Sequence, residues 1–255
     1  MRTQYQKSLQ VSCVSLLALC AALCAALLLI VGIVGACRDS SAPRESNEPN
    51  TPQATENHPQ AAPEAATQTP AEMNLFDGKT LGDWAITDFG GQGKVHVKDG
   101  AIHLEQGNDM TGITWKGPLI RMNYEITLEA MRVSGSDFFC GLTFPVNDNY
   151  CSLILGGWGG TVCGLSNIDY YDAANNETTQ IVSFDTGKWY HVRLRVTPNR
   201  IQAWIEEEQD QLVDMDITGR KIDTRIEVDL CQPLGVATWQ TAGAVRNIKV
   251  RKIAD

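Results

Sequence analysis

The sequence predicts an all-β fold, an antiparallel β-sandwich or jelly roll, preceded by one N-terminal hydrophobic helix and a disordered linker. Three observations predict it. A charge-free apolar run fills Ser8 to Ala36. A proline-rich stretch without large apolar residues follows it. From Leu75 onward, short period-two stretches alternate with clusters of Gly, Asp, Asn and Pro, and no stretch repeats convincingly at the helical period of 3.6.

Residues 1–37 read as a signal or membrane anchor. The apolar core, Val11 to Ala36, exceeds the ~20 residues that span a bilayer and the ~15 of a simple cleaved signal. Arg2 and Lys7 precede it, whereas residues 38–72 carry two basic and six acidic residues. The positive-inside asymmetry places the N-terminus in the cytoplasm and the rest of the chain on the extracytoplasmic side, in the periplasm or at the cell surface. The run ends in Val34-Gly35-Ala36-Cys37, which resembles the lipobox of bacterial lipoproteins. The length of the run favours an uncleaved transmembrane helix, and lipidation at Cys37 is the alternative. Residues 38–72 hold six of the ten prolines and no Val, Ile, Leu, Phe, Tyr or Trp. Such a segment buries too little apolar surface to offset its ordering entropy, so it reads as a disordered tether. His58 lies within it.

Residues 73–255 form the expected globular domain. Val95 to Ile102 contains an Asp99-Gly100 turn. Met122 to Arg132 is the clearest strand, with Tyr124, Ile126, Leu128 and Ala130 on one face and Asn123, Glu125, Thr127 and Glu129 on the other. Phe138–Phe144 and Cys151–Leu155 flank the turn-rich Pro145-Val146-Asn147-Asp148-Asn149. A glycine cluster, Gly156-Gly157-Trp158-Gly159-Gly160, separates the next strand, Thr161–Leu165. Tyr190, Val192, Leu194 and Val196 alternate with His191, Arg193 and Arg195. Ile201, Ala203 and Ile205 define another strand, Ile226, Val228 and Leu230 a further one, and Ala244–Ile253 the last. Many short strands at regular spacing argue for the sandwich, and no repeat indicates a propeller.

Four segments, in order, resemble one family. These are Asn74-Leu75-Phe76-Asp77-Gly78-Lys79-Thr80-Leu81-Gly82-Asp83-Trp84, then Val95 to Ile102, then Lys188-Trp189-Tyr190-His191-Val192-Arg193, then Val245 to Arg251. Together they are similar to the 3-keto-disaccharide hydrolase domain family, across the whole of residues 73–253. The resemblance implies a concanavalin A-like jelly roll and chemistry on 3-keto-glycosides or related sugars. Many members place Asn-Ser-Gly at the strand near the site, where this chain reads Ser136-Asp137-Phe138-Phe139-Cys140-Gly141.

Glycoside cleavage uses an acid and a base or nucleophile. Asp137 matches the family's site motif and stands beside two phenylalanines, an environment that suits a general acid. The alternative is a turn-stabilising aspartate. Glu125 and Glu129 share a polar strand face but stand ~13 Å apart along it, so each needs a cross-strand partner such as Glu227 or Asp229. The alternative is a salt-bridged outer face with Arg132, Arg193 or Arg225. On a 3-keto substrate, elimination needs one base and an oxyanion stabiliser: a metal, an Arg or a His. His96 and His103 flank the Asp99-Gly100 turn and, in the right register, would suit a divalent metal, or are two unrelated strand histidines. Asn167, Asp169, Asp172, Asn175, Asn176 and Glu177 are hard oxygen ligands, so a divalent cation such as calcium is expected there, or an ordinary polar loop. Tyr170 and Tyr171 would alternatively pack on a sugar.

Trp158, between glycines, is expected at an exposed loop tip, ready to stack on a pyranose. Trp115, Trp239 and the adjacent Gln240 are further substrate-binding candidates. Of the four domain cysteines, Cys140 and Cys151 lie on adjacent hairpin strands and form the first disulfide to consider. The sequence has no CxxC for zinc, no nucleophile elbow and no phosphate-binding loop. The net charge of −9 argues against nucleic acid as a partner. The expected partners are a glycan or keto-sugar and, through the N-terminal segment, a membrane. The reading is an exported carbohydrate-active enzyme, a glycoside hydrolase or lyase. A lectin-like glycan-binding module is the alternative, and a structural domain of the cell envelope is a third reading.

Overall fold

The computed structural model describes residues 72–205 and 209–254. The expected anchor, the tether up to residue 71, His58 and Cys37 lie outside the described residues. Among the described residues no helix is long and apolar enough to cross a membrane.

The strands, in chain order, are β1 (Glu72–Asn74), β2 (Trp84–Ile86), β3 (Val95–Lys98), β4 (Ala101–Leu104), β5 (Met110–Trp115), β6 (Tyr124–Gly135), β7 (Cys140–Val146), β8 (Asn149–Gly157), β9 (Val162–Ser166), β10 (Gln180–Ile181), β11 (Trp189–Thr197), β12 (Arg200–Ile205), β13 (Gln209–Asp216), β14 (Gly235–Trp239) and β15 (Thr241–Lys252). A short 3-10 helix, Ile226–Cys231, precedes β14. The first sheet has the order β13-β12-β11-β6-β15-β4-β3, with β1 also paired to β15. The second has the order β10-β9-β8-β7-β14-β5-β2. Every pairing is antiparallel. The fold is therefore an all-β sandwich of two antiparallel sheets, as the sequence predicts.

The period-two strands supply the core. Tyr124, Ile126, Leu128 and Ala130 of β6, with Tyr190, Val192, Leu194 and Val196 of β11, pack in one cluster with Leu142 and Phe144 of β7 and Leu153 and Leu155 of β8. Each such large side chain contributes ~1.5–3 kcal/mol by leaving water. On the opposite face of β6, cross-strand ion pairs replace apolar packing. Glu125 stands opposite Arg195 on β11 and Arg251 on β15, and Glu129 opposite Arg246.

Two hairpins close as expected. Val146 pairs with Asn149, with Asn147 at φ +50°, and Lys98 pairs with Ala101 around Asp99 and Gly100, both at positive φ. This is the chemistry of two-residue hairpin turns. The second hairpin sets His96 opposite His103, with rings stacked at 5.3 Å.

Two expectations are corrected. Ile226, Val228 and Leu230 do not form a strand but belong to the 3-10 helix, closed by i to i−3 bonds from Val228 N–H to the Arg225 carbonyl and from Gln232 N–H to the Asp229 carbonyl. Only Val228 of the three is buried. The helix lies on the outer face of the second sheet, over Gly235. A Cβ there would stand 2.6 Å from the Cys231 carbonyl oxygen, so glycine is what allows the close approach. Second, Cys140 and Cys151 are free thiols. Cys140 pairs with Leu155 and Cys151 with Phe144, which leaves the two cysteines four positions, ~13 Å, apart along the hairpin, beyond disulfide reach.

Candidate functional site

The outer face of the second sheet is built mostly from small side chains. Gly141 and Thr143 of β7, Ser152 and Ile154 of β8, Gly164 and Ser166 of β9, and Ala237 of β14 alternate with the core-facing residues. Ser152 lies directly opposite Ser166 and opposite Thr143, with which it shares a 2.9 Å hydroxyl hydrogen bond. Phe138 and the 3-10 helix cover part of this face. A pocket of about 260 Å³ remains, lined by Met110, Asp137, Phe138, Ser152, Ile154, Trp158, Ser166, Arg225, Glu227, Val228 and Trp239. Its apolar side is a small cluster in which Met110, Val228, Phe138 and Trp239 pack together.

Asp137 sits in the segment between β6 and β7. Its Oδ1 accepts the Phe138 N–H at 2.8 Å and its Oδ2 the Gly159 N–H at 3.2 Å. Its own N–H donates to Thr241 Oγ1 at 2.9 Å. Trp158 sits at the tip of the loop after β8, at φ +47° and 41% exposed.

Arg225 precedes the 3-10 helix and grips Glu227 as a fork, with Nε to Oε2 at 3.2 Å and Nη2 to Oε1 at 2.8 Å. Its Nη1 donates to Asp172 Oδ2 at 2.9 Å, and its guanidinium lies 5.9 Å from the centre of the Trp158 ring. The hydrogen bonds from Arg225 hold the Glu227 carboxyl below its ordinary value against the opposing effect of desolvation, and raise Arg225 in turn. Among the described residues no cation bonds the Asp137 carboxylate.

The structure thus brings together Asp137, Glu227, Trp158 and Trp239 and separates the other candidates. Glu125 is 3% exposed on the outer face of the other sheet, bonded by Arg251 and Arg195 and approached by Arg193 at 3.7 Å. Glu129, on the same face, accepts from Arg246 and Asn247. Desolvation pushes its carboxyl up, but those two partners outweigh it and leave the group below its ordinary value. Neither glutamate shares a surface with Glu227, because their cross-strand arginines belong to the first sheet. Trp115 is a core residue. It meets Trp84 edge-on at 5.2 Å and donates its indole N–H to the Pro118 carbonyl. Gln240 is exposed outside the pocket and donates to Asp109.

The loop expected to hold calcium does not fit that ion. Arg220 bonds Asp169 and Glu177, and Arg225 bonds Asp172. Asn175 Nδ2 donates to Asp172 Oδ1 at 2.7 Å, which uses another oxygen that a metal would need. Cations already occupy the places where a metal would sit, and among the described residues no group of three or more His, Cys, Asp or Glu is arranged to hold one. The stacked His96 and His103 fall under the same finding.

Sequence reasoning missed Ser152, Ser166 and the placement of Arg225. The two serines were detectable as lone polar residues in strands that are otherwise apolar on both faces.

Fold and pocket together define a two-sheet antiparallel β-sandwich domain with a hollow on the outer face of its second sheet. The profile of the 3-keto-alpha-glucoside-1,2-lyase-like domain matches residues 72–251, and the chain belongs to that family. Among solved structures it is similar to the Crh5 transglycosylase in complex with NAG, at 12% identity and a TM-score of 0.50, covering 72% of this chain and 84% of that one. It is also similar to the carbohydrate-binding module CBM66 from Bacillus subtilis, at 10% identity and a TM-score of 0.47, covering 67% of this chain and 96% of that one. A prokaryotic beta-1,3-1,4-glucanase derived from a mouse hindgut metagenome shares 9% identity at a TM-score of 0.48, covering 73% of this chain and 100% of that one. No curated protein matches the sequence.

Proposed function

We propose that the pocket seats one ring of a 3-keto-glycoside and that the domain cleaves its glycosidic bond by elimination. One observation carries this reading. A carboxylate bonded by no cation, Asp137, shares a 260 Å³ hollow with a guanidinium, Arg225, and two tryptophans. That volume lies at the small end for ligand sites and suits a single sugar ring.

A carbonyl at C3 acidifies the C2–H bond. Asp137 is the base that takes the C2 proton, and the freed electron pair enters an enolate whose charge rests on the C3 oxygen. Arg225 supplies positive charge to that oxygen, while Glu227 and Asp172 fix its guanidinium. Collapse of the enolate forms the C1–C2 double bond and breaks the bond from C1 to the glycosidic oxygen, which takes a proton from water; the hydroxide left behind takes the proton that Asp137 removed, so the carboxylate is regenerated. The products are an unsaturated 3-keto sugar and a free alcohol or sugar. Trp158 and Trp239 offer ring faces to the pyranose.

Glycan binding without cleavage is the second reading. It is favoured by the locking of Glu227 and Asp172 onto Arg225, which leaves the pocket a single unpaired acid where hydrolysis uses two.

Incubation of the protein with an oxidised (3-keto) disaccharide and with its parent disaccharide tests the proposal. Release of free sugar and an ultraviolet-absorbing enone is expected from the keto compound. Asp137→Asn should lower that release at least a hundredfold, the scale of general-base catalysis, while leaving binding in place. Binding that Trp158→Ala abolishes, with no release on long incubation, would establish the glycan-binding reading instead.

A further inference from the structure

We infer that Arg132 is a positioning residue, a buried guanidinium that fixes the Asp137 and Trp158 segments against one another; its role in function rests on the reading of the pocket as a sugar site. Arg132 extends the core-facing stripe of β6 by one further step after Tyr124, Ile126, Leu128 and Ala130. It is 5% exposed and forms no ion pair among the described residues. Desolvation pulls it below its ordinary value. The Asp137 carboxylate partly offsets that cost from beyond ion-pair distance. A buried cation with no direct ion pair is still costly, and an apolar residue would fill the position more cheaply.

What the guanidinium touches explains its presence. Nη2 donates to the carbonyl oxygens of Asp137 at 3.3 Å, Gly156 at 3.3 Å and Gly160 at 2.9 Å. Nη1 donates to the Phe184 carbonyl at 3.2 Å, and the Phe139 ring lies 5.1 Å beneath. One charged group therefore bonds the backbone of Asp137 and both ends of the loop that presents Trp158. The two segments also meet directly, through the Gly159 N–H on Asp137 Oδ2. Hydrogen bonds to a charged group are the stronger kind, and they pin both loops from the core side while their side chains face the pocket.

The glycine cluster takes its form from this arrangement. A Cβ on Gly156 would stand 2.4 Å from Arg132 Nη2, and one on Gly160 would stand 3.1 Å from the Ser136 carbonyl oxygen. Both residues have positive φ, +74° and +110°. The cluster exposes Trp158, and its backbone also makes room for a guanidinium.

The test uses the full chain with Arg132→Met, Arg132→Lys and Gly156→Ala, followed by amide hydrogen exchange and by binding of the 3-keto disaccharide. In Arg132→Met, exchange at Phe138, Gly159 and Gly160 should quicken about tenfold or more, with Leu153 and Leu194 unchanged. Gly156→Ala should reproduce this while keeping Arg132, because the new Cβ displaces the guanidinium. Arg132→Lys should restore part of the protection. Binding should weaken about tenfold in Arg132→Met and no further when Arg132→Met is added to Trp158→Ala. If Arg132→Met fails to fold, the lysine and Gly156→Ala variants carry the same comparison. Unchanged exchange at those amides in a folded variant, or additive losses with Trp158→Ala, would overturn the inference. The exchange readout needs no sugar, so a wild-type protein that binds no sugar sinks the functional reading of the pocket and leaves the clamp to be judged by exchange.

Discussion

Glu125 and Asp137 are both partly or fully withdrawn from solvent, and their surroundings assign them opposite tasks. Glu125 is held from three sides by arginines on β11 and β15. Removing its charge leaves those guanidinia facing one another without compensation. Breaking a fully buried network costs ~3–5 kcal/mol. Because these arginines remain about a third exposed, ~1–3 kcal/mol is the expected cost of Glu125→Gln after solvent screening. A urea-melt midpoint reads that loss, and substrate release by the folded variant should stay at the wild-type level. Asp137→Asn should do the reverse, sparing the midpoint and removing turnover. A Glu125→Gln protein of wild-type stability would show that the arginine cluster contributes little. Sequence could place Glu125 on a polar strand face but could not say which sheet that face belonged to. Arg225 was hidden for a related reason. Its position suggested a counter-ion for surface acids, and only the chain's return over the second sheet makes it part of the pocket.

At the level of strands, legibility depended on whether the two faces of a strand differ in environment. β6 and β11 have one face in the core and one toward solvent, so their alternation was readable. β5, β7 and β9 are buried on both faces, one against the core and one beneath the covering segments. Their period vanishes into short apolar runs. The three-residue alternation Ile226, Val228, Leu230 was too short to separate a strand from a single helical turn, and the covering role of that segment is a long-range property. The hairpin of β7 and β8 is legible in the sequence, but its register is not, so the sequence offers Cys140 and Cys151 as a disulfide to consider and the register rules it out. The register now makes a prediction. Burial pushes the thiols of Cys140, Cys151, Cys163 and Cys231 up to about 12. Thiolate, the reactive form, is then scarce at neutral pH. Peptide mapping after brief alkylation of the native protein should find all four unmodified, with full labelling in denaturant. A reductant should leave the melting temperature unchanged. Rapid native labelling of any of them would contradict the burial that the strand register imposes.

For the whole molecule, ionisable groups on both sheets give stability a two-stage dependence on acid. His103 is held below its ordinary value, first by desolvation and then by the neighbouring His96 and Lys98. The unfolded chain therefore binds that proton more readily than the folded one, and stability begins to fall as pH drops below about 6.5, the unfolded value. Glu105 lies 3.5 Å from His96 Nδ1, which places an acid beside the stacked pair. The second stage belongs to carboxylates. Glu129 and Glu227 are depressed by arginine and asparagine partners that outweigh desolvation, and Asp169, Glu177 and Asp214 by hydrogen bonds on the surface. Their stabilisation is complete above the unfolded values, near 4, and is lost as pH falls through the lower folded values. The exposed pairs contribute little each, so Glu129, the least exposed of these carboxylates, dominates this stage. A plot of urea midpoint against pH should show a shallow decline beginning near 6.5 and a steeper one below about 4. His103→Gln should remove the upper decline and leave the lower one intact. Glu129→Gln should reduce the lower one and leave the upper. A single transition, untouched by His103→Gln, would mean that the stacked histidines of the β3–β4 hairpin do not feel one another, and that the acid response of the sandwich rests on its carboxylates alone.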